Sequence, residues 1–306
     1  MMRYVVKRLG WTIVVLWAIA TLTFVATFLS PIDPAKTFAG LRATTAQIDH
    51  VRHVFGLDQP IYVQYGRYLG RIVSGNLGTS YEYGTSVLQM IGGALPKTAL
   101  LAGSGLLVEL AIGLPLGLLA GLNRGRLADR TVLVGSLLGV VIPSFVLGFV
   151  LLYLFAFKLS WFPLGGGGSF QSLVLPAVTL GVAGGAWYAR MLRSTVLNIA
   201  GEDYVRFARA KGLPERTIVS RHILRNAVSP IIAMMALDLG VFLGGVLVIE
   251  RVFAWPGLGL LTWEAIQFND IPVVMGTVLV AAFFIVILNL IADIANAMID
   301  PRIRYA

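Results

Sequence analysis

Two acidic side chains stand inside long apolar stretches of this sequence. Glu109 lies near the centre of residues 98–121, Asp238 lies near the centre of residues 227–249, and neither stretch contains Lys or Arg. A charged carboxylate in the middle of a membrane helix costs roughly 2.5 to 3.5 kcal/mol to insert, so each acid needs a polar partner, water or a bound proton. Both are candidates to line a transport pathway and bind a cationic group of a cargo. Structural hydrogen bonding is the alternative.

Two histidines and one serine could do other chemistry. His50 and His53 have the spacing of one helical face, but zinc usually requires at least three protein ligands, and no third ligand is evident nearby. A solvated face without metal is predicted. Ser104, in "AGSGLL", would need a base in the membrane to act as a nucleophile, and all three histidines, His222 included, lie outside the apolar stretches. The sequence therefore predicts a chain that is not itself an enzyme.

A run of four glycines, residues 165–168, could suggest a phosphate-binding loop. Such a loop requires a following Lys and a Ser or Thr at the start of a helix, and "GGGGSF" has no lysine. The same pattern is absent from the rest of the sequence, and there is no cysteine for a thiolate metal site. We therefore predict that this chain binds no cofactor, and that the glycines form a flexible connection.

The elements that carry these residues are predicted to be membrane helices. The sequence is 57% hydrophobic with a mean hydropathy of +0.82, and its 13% of charged residues is about half the share typical of soluble domains. Backbone groups in lipid must satisfy their own hydrogen bonds, so spanning segments are helical. We predict an all-α membrane protein, a single domain over residues 1–306, with six spans: 9–30, 98–121, 131–157, 172–198, 227–249 and 271–292.

The first apolar stretch could instead be a cleaved export signal, because Arg3, Lys7 and Arg8 precede it. Signal cores are about 7 to 15 residues long and end at a small-residue cleavage site. This stretch has 22 residues and ends in "SPIDPAK". We therefore retain it as the first helix.

The distribution of the net charge of +9 along the sequence indicates the topology of the chain in the membrane. With the N-terminus inside and six spans, the inner segments carry sixteen of the 24 Lys and Arg residues. Cytoplasmic loops of membrane proteins carry this excess. We therefore predict cytoplasmic termini, an extracytoplasmic outer segment over residues 31–97 and a cytoplasmic loop over residues 199–226. The charge then needs no nucleic-acid partner, and the lipid bilayer is the expected environment.

Smaller patterns predict local features. Ile48, Val51 and Phe55 suit a short amphipathic helix in the outer segment. Asp293 and Asp300, at the inner end of the last span, are expected to cap it or pair with basic neighbours. Small residues recur at helical spacing and predict close helix packing, within one bundle or between subunits: Gly113, Gly117, Gly121, Gly135, Gly139, Gly240 and Gly244. Prolines predict kinks: Pro115, Pro143 and Pro176.

The most basic part of the sequence is "GEDYVRFARAKGLPERTIVSRHILRNA", residues 201–227. Gly212 and Pro214 divide it. The first piece is predicted to continue the fourth span as a helix to about Lys211, and the second to begin at Pro214. In the second piece one side is apolar, with Ile218, Val219, His222 and Ile223. Arginines beside an anionic leaflet would explain the charge, and docking of a short helix into a groove of a partner protein is the alternative.

This segment closely resembles the cytoplasmic loop of ABC importer permeases, in the form found in the dipeptide, oligopeptide and nickel family. Three further motifs fit the same family: "GLDQPIYVQYGRYL" with "GNLGTS" after the first span, "ERVFAWPGLGLL" after the fifth, and the ending "DPRIRY". Four motifs in order, with this length and span spacing, cover essentially the whole chain. The resemblance implies a type I ABC importer permease fold.

The resemblance also implies roles for particular residues. In the family, the glycine-centred loop forms a coupling helix seated in a cleft of the ATPase subunit. The matching positions are Asp203, Tyr204, Arg206, Ala208, Ala210, Lys211, Gly212, Leu213, His222, Arg225 and Asn226. The Glu-Ala-Ala triplet of other importers is replaced by Arg206, Phe207 and Ala208, and Arg225 replaces a later proline, as in the peptide branch. Near the outer gate the matching residues are Glu250, Phe253, Pro256, Gly257 and Gly259.

The implied assembly contains a second homologous permease, two ATPase subunits or one fused ATPase, and an extracytoplasmic substrate-binding protein. ATP and Mg²⁺ would be bound by the ATPase partners. Peptide is the expected cargo, and nickel chelates, glutathione and oligosaccharides are the alternatives within the family. An ion-coupled secondary transporter, with Glu109 and Asp238 as ion sites, is a further alternative, although no inverted repeat is visible.

Overall fold

The structure is a computed structural model that describes residues 2–29, 33–40, 43–244 and 246–299. These residues form fourteen α-helices and no β-strand. The helices are α1 Met2–Leu29, α2 Pro34–Ala39, α3 Thr45–Val54, α4 Ile61–Val73, α5 Val87–Leu122, α6 Leu127–Val141, α7 Ser144–Leu151, α8 Phe170–Ala200, α9 Asp203–Ala210, α10 Glu215–Thr217, α11 Arg225–Leu243, α12 Leu247–Val252, α13 Leu258–Gln267 and α14 Ile271–Ile299. Two π-helical turns, Leu152–Lys158 and Ile218–Leu224, continue α7 and precede α11.

Four helices of the described chain are long and apolar enough to cross a membrane, and there are six spans if each of two bent helix pairs counts as one. The four lie in α1, α5, α8 and α14. The third predicted span is bent by 96° between Leu127–Val141 and Ser144–Lys158, at Pro143. The fifth is bent by 45° between Glu215–Ala227 and Pro230–Leu243. By contrast, α5 and α8 run through Pro115 and Pro176.

Two helix ends differ from the predicted span boundaries. The helix of the second predicted span begins eleven residues before the predicted boundary, because α5 starts at Val87 and runs through Pro96, so residues 87–97 of the predicted outer segment are helical. The fifth span ends earlier than Ile249, because α11 ends at Leu243 and α12 is a separate short helix. The apolar pattern does not mark these boundaries, since short helices and loops beside a membrane bundle are themselves apolar.

The centre of the bundle is the packing of α5 against α8. A methyl group on Gly117 would lie 2.7 Å from the carbonyl oxygen of Ala189, and one on Gly121 would lie 2.7 Å from Val196. A methyl group on Gly113 would likewise overlap the side chain of Tyr188. The glycine stripe therefore lets the two helices approach within this chain, and a subunit interface is not needed to explain it.

The remaining long helices pack beside this pair. Gly240 of α11 lies against Ile285 of α14, where an added methyl group would be 3.4 Å from the backbone of Ile285. Arg8 Nη1 of α1 lies 2.8 Å from Asp293 Oδ2 of α14, which confirms the predicted pairing of Asp293. Asp300 lies outside the described residues, together with the ending "DPRIRY".

Neighbouring contacts define the two ends of the bundle. At one end, the last turns of α5 and α8 meet, and Arg193 of α8 pairs with Asp129 at the start of α6. The Arg8–Asp293 pair belongs to this end because α14 begins beside Val87, at the opposite end of α5. We call it the basic end, since the basic segment, residues 201–227, follows α8 there. The start of α1, the end of α14 and the basic segment therefore lie at the same end.

The outer segment forms short helices joined by turns, as predicted. Thr44 caps α3 in a capping box with Gln47, and none of the residues of α3 is buried. Tyr65 of α4 lies on α1, with its hydroxyl 2.7 Å from Thr21 Oγ1. Asp270 is buried just before α14 and accepts hydrogen bonds from Ser80 and from the backbone N–H of Tyr81. These contacts fix the outer segment on the ends of α1 and α14.

Candidate functional site

The basic segment is a pair of short helices around a glycine turn. The structure ends α8 at Ala200 and starts α9 at Asp203, so the predicted continuous helix from the fourth span to Lys211 is wrong. Gly201 caps α8 and separates it from α9. The second piece begins at Glu215 with Pro214 as its N-cap, one residue from the predicted start.

Gly212 makes the turn between the two pieces. Its φ is +75°, a left-handed conformation that favours glycine, and its N–H donates to the carbonyl of Arg209 at 2.9 Å. Arg209 also spans the turn through its side chain, with Nη2 donating to Glu215 Oε1 at 2.8 Å and Nε to Oε2 at 3.3 Å. This bidentate contact lowers the pKa of Glu215 and keeps it ionised. The turn therefore has a defined shape.

The apolar side of the second piece packs inside this chain. Ile218 and Ile223 are fully buried and form one core cluster with Val205 and Ala208 of α9 and Val196 of α8. The prediction of an apolar cluster is confirmed for these residues, but the cluster is not a free surface for a partner. It instead attaches the basic segment rigidly to α8 and α11.

The exposed side of α9 carries a different set of apolar residues. Phe207 is 68% exposed, and Tyr204 and Leu213 are about 40% exposed, among Arg206 and Lys211, which are also exposed. Phe207 is the residue of this surface that sequence reasoning missed. Its signal is the helical spacing: Val205 and Ala208 occupy one face of α9, so Tyr204 and Phe207 must occupy the other.

The structure brings three predicted residues together at the base of this surface. Asn226 Nδ2 donates to the hydroxyl of Tyr204 at 2.9 Å and to the carbonyl of His222 at 2.7 Å. The Tyr204 and His222 rings lie 6.4 Å apart. The other predicted positions surround them: Asp203, Arg206, Ala210, Lys211, Gly212, Leu213 and Arg225 are exposed, and Ala208 is buried. The predicted set therefore contains both surface residues and residues that hold the two pieces together.

The "ERVFAWPGLG" motif forms a buried connector at the end opposite the basic segment. Glu250 is fully buried and accepts from Thr98 Oγ1 at 2.7 Å and from the N–H of Leu260 at 2.9 Å. Thr98 in turn accepts from the N–H of Leu258 at 2.7 Å. The carboxylate and the hydroxyl thus satisfy two free N–H groups at the start of α13. Sequence reasoning missed Thr98, which lies 152 positions from Glu250.

The other motif residues pack tightly around Glu250. A methyl group on Gly257 would overlap Glu250 Oε1, and one on Gly259 would lie 2.6 Å from the backbone of Leu247. The glycine run also contacts this connector: Gly165 lies against the carbonyl of Phe253, and Gly167 lies against Pro256. The prediction of a simply flexible glycine connection is therefore wrong, because two of its glycines are required for close contact.

The two intramembrane acids have different environments. Asp238 Oδ2 accepts from the hydroxyl of Tyr188 at 2.6 Å, so the structural hydrogen bond that the sequence left open is present. Glu109 is buried, and its Oε2 has no hydrogen-bond partner among the described residues. Gly184 leaves room for the Glu109 carboxylate, since an added methyl group would overlap it. Glu109 therefore retains unused hydrogen-bonding capacity inside the bundle.

The histidines of the outer segment are not brought together with further metal ligands. His53 Nδ1 lies 2.7 Å from Asp58 Oδ2, and His53 is largely exposed. Within the described ranges, no group of three or more His, Cys, Asp or Glu side chains could hold a metal ion. The hydrogen bond between His53 and Asp58 lowers the pKa of Asp58. The basic segment and the buried connector are therefore the candidate functional sites.

Known proteins resemble this chain along its whole length. Residues 113–305 match the family described as binding-protein-dependent transport system inner membrane component, and residues 1–102 match its N-terminal counterpart. The glutathione transport system permease proteins GsiC of Salmonella paratyphi A and of Escherichia coli K12 are 38% and 37% identical over 305 residues, with both chains covered completely. A structure titled as inward-facing conformations of the MetNI methionine ABC transporter matches 70% of this chain and 97% of its own, with a TM-score of 0.55 and 19% identity.

Proposed function

Because this chain belongs to the binding-protein-dependent transport system inner membrane components and is similar to permeases named for glutathione transport, we propose that it carries short peptides across the inner membrane. The chain is a permease subunit of an ABC importer, with the predicted permease fold, and it is a multi-pass membrane protein and not the ATPase. Membership of this family also removes the ion-coupled secondary transporter from consideration.

The basic end is proposed to face the cytoplasm. The start of α1 and the end of α14 lie at the same end as the basic segment, and this end gathers most of the Lys and Arg residues. The positive-inside rule assigns such an end to the cytoplasm. The outer segment and the connector around Glu250 are then extracytoplasmic.

The exposed face of α9 is proposed to be the surface that seats in an ATPase. The observation that carries this proposal is Phe207, which is 68% exposed at the end of the bundle that faces water. Tyr204 and Leu213 extend this apolar surface, and the surrounding cations suit an acidic rim on a partner. Large exposed aromatic residues beside cations are typical of protein interfaces.

The rigid attachment of this surface suggests how motion is transmitted. Ile218 and Ile223 fix the turn to α8, and the second piece continues into α11. When the ATPases bind ATP and Mg²⁺ and close, a displacement of α9 would therefore move both spans together. Asp203, Arg225 and the other matched positions are proposed to act within this unit, either at the surface or at its base.

The remaining partners and sites follow from the importer architecture. We propose a second homologous permease, two ATPase subunits or one fused ATPase, and an extracytoplasmic substrate-binding protein. The buried connector with Glu250 and Phe253 is proposed to support the outer gate. Glu109 and Asp238 remain proposed pathway residues, of which Glu109 has the free acceptor.

The cargo is proposed to be a short peptide of the glutathione type. The support is the similarity over the full length to permeases named for glutathione transport, and glutathione is itself a tripeptide. A free carboxylate such as that of Glu109 can accept a hydrogen bond from the amine of such a cargo. Nickel chelates and oligosaccharides are the other cargoes to be tested.

The proposed coupling surface is tested by making the same substitution, Phe to Ser, at the two ends of the bundle. Phe207→Ser should reduce co-purification of the ATPase in mild detergent and reduce uptake. Phe170→Ser is the control, because Phe170 is 79% exposed at the start of α8, at the opposite end of the bundle. Equal ATPase recovery and uptake with Phe207→Ser and with the wild type would contradict the proposed surface.

Cargo is tested on the binding protein that works with this permease. Mass spectrometry of the ligand released from that protein should identify glutathione or another short peptide. Uptake of the identified compound is then measured in cells that carry the wild type or Glu109→Gln. Release of a nickel chelate or an oligosaccharide would replace the peptide proposal and leave the importer assignment intact.

A further inference from the structure

A cavity of about 800 Å³ lies at the end of the bundle opposite the basic segment. It is bounded by α1, by α4 and by the start of α14, and part of its wall comes from the motifs "GLDQPIYVQYGRYL" and "GNLGTS" of the outer segment. Its walls have two characters. Phe24, Met275 and Leu279 are apolar and belong to membrane helices, whereas Arg67 and Arg71 belong to α4 in the outer segment.

Tyr68 supplies a buried polar group to this cavity. The residue is 7% exposed, and its hydroxyl has no hydrogen-bond partner among the described residues. The ring is held by Phe24, whose centroid lies 5.4 Å away. Burial raises the pKa of Tyr68 to about 12, so the hydroxyl keeps its proton and is available as a donor. Native proteins rarely leave such a donor without an acceptor.

The charges of the cavity do not balance. Arg52 Nη2 donates to Asp33 Oδ2 at 2.6 Å, so this pair is neutralised within the protein. Arg67 and Arg71 lie one helical turn apart on α4, and neither is within ion-pair distance of an acidic side chain in the described part of the chain. With Tyr68 beside them, they present two cations and one neutral donor to the cavity.

The cavity lies beside α1, at the periphery of the bundle. Few residues in the spanning part of α1 are buried, whereas α5 and α8 form the buried centre. A molecule that enters this cavity from the edge would meet apolar side chains first and cations at the outer surface.

We propose that this cavity binds an anionic phospholipid of the outer leaflet. Its phosphate lies between Arg67, Arg71 and the hydroxyl of Tyr68, and an acyl chain extends along Phe24 and Leu279 into the bilayer. The assignment to the outer leaflet rests on the proposed orientation of the permease. The lipid ties α4 to α1 and α14 and thereby stabilises the outer segment.

The test uses the complete importer, purified with its ATPases in mild detergent. Phosphatidylglycerol or phosphatidylcholine with identical acyl chains is added, and bound lipid is counted by native mass spectrometry. The wild type should prefer phosphatidylglycerol. Y68F, which removes only the unpaired hydroxyl, should weaken its binding about tenfold, and R67Q should weaken it about fivefold.

The control is Lys36→Gln, which removes an exposed cation of the outer segment that does not line the cavity. It should bind phosphatidylglycerol as the wild type does. Equal binding of the two lipids, or unchanged binding in both Y68F and R67Q, would overturn the proposal. So would displacement of the lipid by an equal concentration of inorganic phosphate. An importer that assembles with its ATPases but shows no lipid preference contradicts only this inference, whereas failed assembly contradicts the proposed function.

Discussion

Thr98 Oγ1 donates a 2.7 Å hydrogen bond to Glu250 Oε1, across 152 positions of the sequence. Both side chains are fully buried. The pair joins α5 to the connector between α12 and α13, and it satisfies the N–H groups of Leu258 and Leu260. A motif that the sequence associates with an outer gate is therefore held by a polar contact with the second span.

Thr98→Val should destabilise the protein. The substitution keeps the shape of the side chain but removes the donor to Glu250 Oε1 and the acceptor for the N–H of Leu258, which costs about 1 to 3 kcal/mol. Thr262→Val is the matched control, because the Thr262 hydroxyl donates only to the carbonyl of Leu258 in its own helix. Thermal unfolding in detergent compares the two variants. Equal melting temperatures for Thr98→Val and Thr262→Val would contradict the assigned role of the contact.

Gly117→Ala should also destabilise the protein, for a steric reason. The added methyl group would lie 2.7 Å from the carbonyl oxygen of Ala189 and 2.9 Å from Leu192, so α5 and α8 must separate. Gly103→Ala in the same helix is the control, since no heavy atom lies within 4 Å of the added methyl group. Alanine favours a helix over glycine by about 1 kcal/mol, so the control should be neutral or stabilising. A thermal stability of Gly117→Ala equal to that of Gly103→Ala would refute the packing argument.

Arg193→Met should lower the melting temperature more than the same change at Arg206. Arg193 Nη2 donates to Asp129 Oδ2 at 2.9 Å, and the Asp129 side chain is 3% exposed. Removal of the cation leaves a buried carboxylate without its partner. Arg206 Nη1 instead lies 3.6 Å from Asp203 Oδ1, and both side chains are exposed. Such an exposed pair contributes little to the stability of the protein. A larger loss of stability in Arg206→Met than in Arg193→Met would contradict this ranking.

The apolar pattern predicted most of the spans, because long uncharged stretches have few alternatives in a membrane. The bend of 96° after Val141 could not be measured from the sequence, although Pro143 marks its position. The pattern also could not show that Ile218 and Ile223 are buried by α8 and α9, since one apolar face fits a partner as well as its own chain.

The candidate site shows the same limit. Residue types identified Glu109 and Asp238 as unusual, but only the fold places Tyr188 beside Asp238. Thr98 and Phe207 were missed for opposite reasons. A threonine in an apolar stretch is unremarkable until Glu250 lies beside it, and a phenylalanine in an apolar chain stands out only when the face of α9 that it occupies is known to be exposed.

Gly212→Val should reduce coupling between ATP hydrolysis and uptake, whereas Gly212→Asn should largely preserve it. Gly212 has a φ of +75°, and no atom lies within 4 Å of an added methyl group, so the substitution acts through backbone strain and not through a clash. A left-handed conformation costs most side chains about 1 to 2 kcal/mol, and asparagine adopts it more readily than valine. Strain at this turn would displace Leu213 and Phe207 relative to the buried residues Ile218 and Ile223. The measurement is the ratio of peptide imported to ATP hydrolysed by the reconstituted importer. An unchanged ratio in Gly212→Val would show that the shape of the turn does not determine coupling.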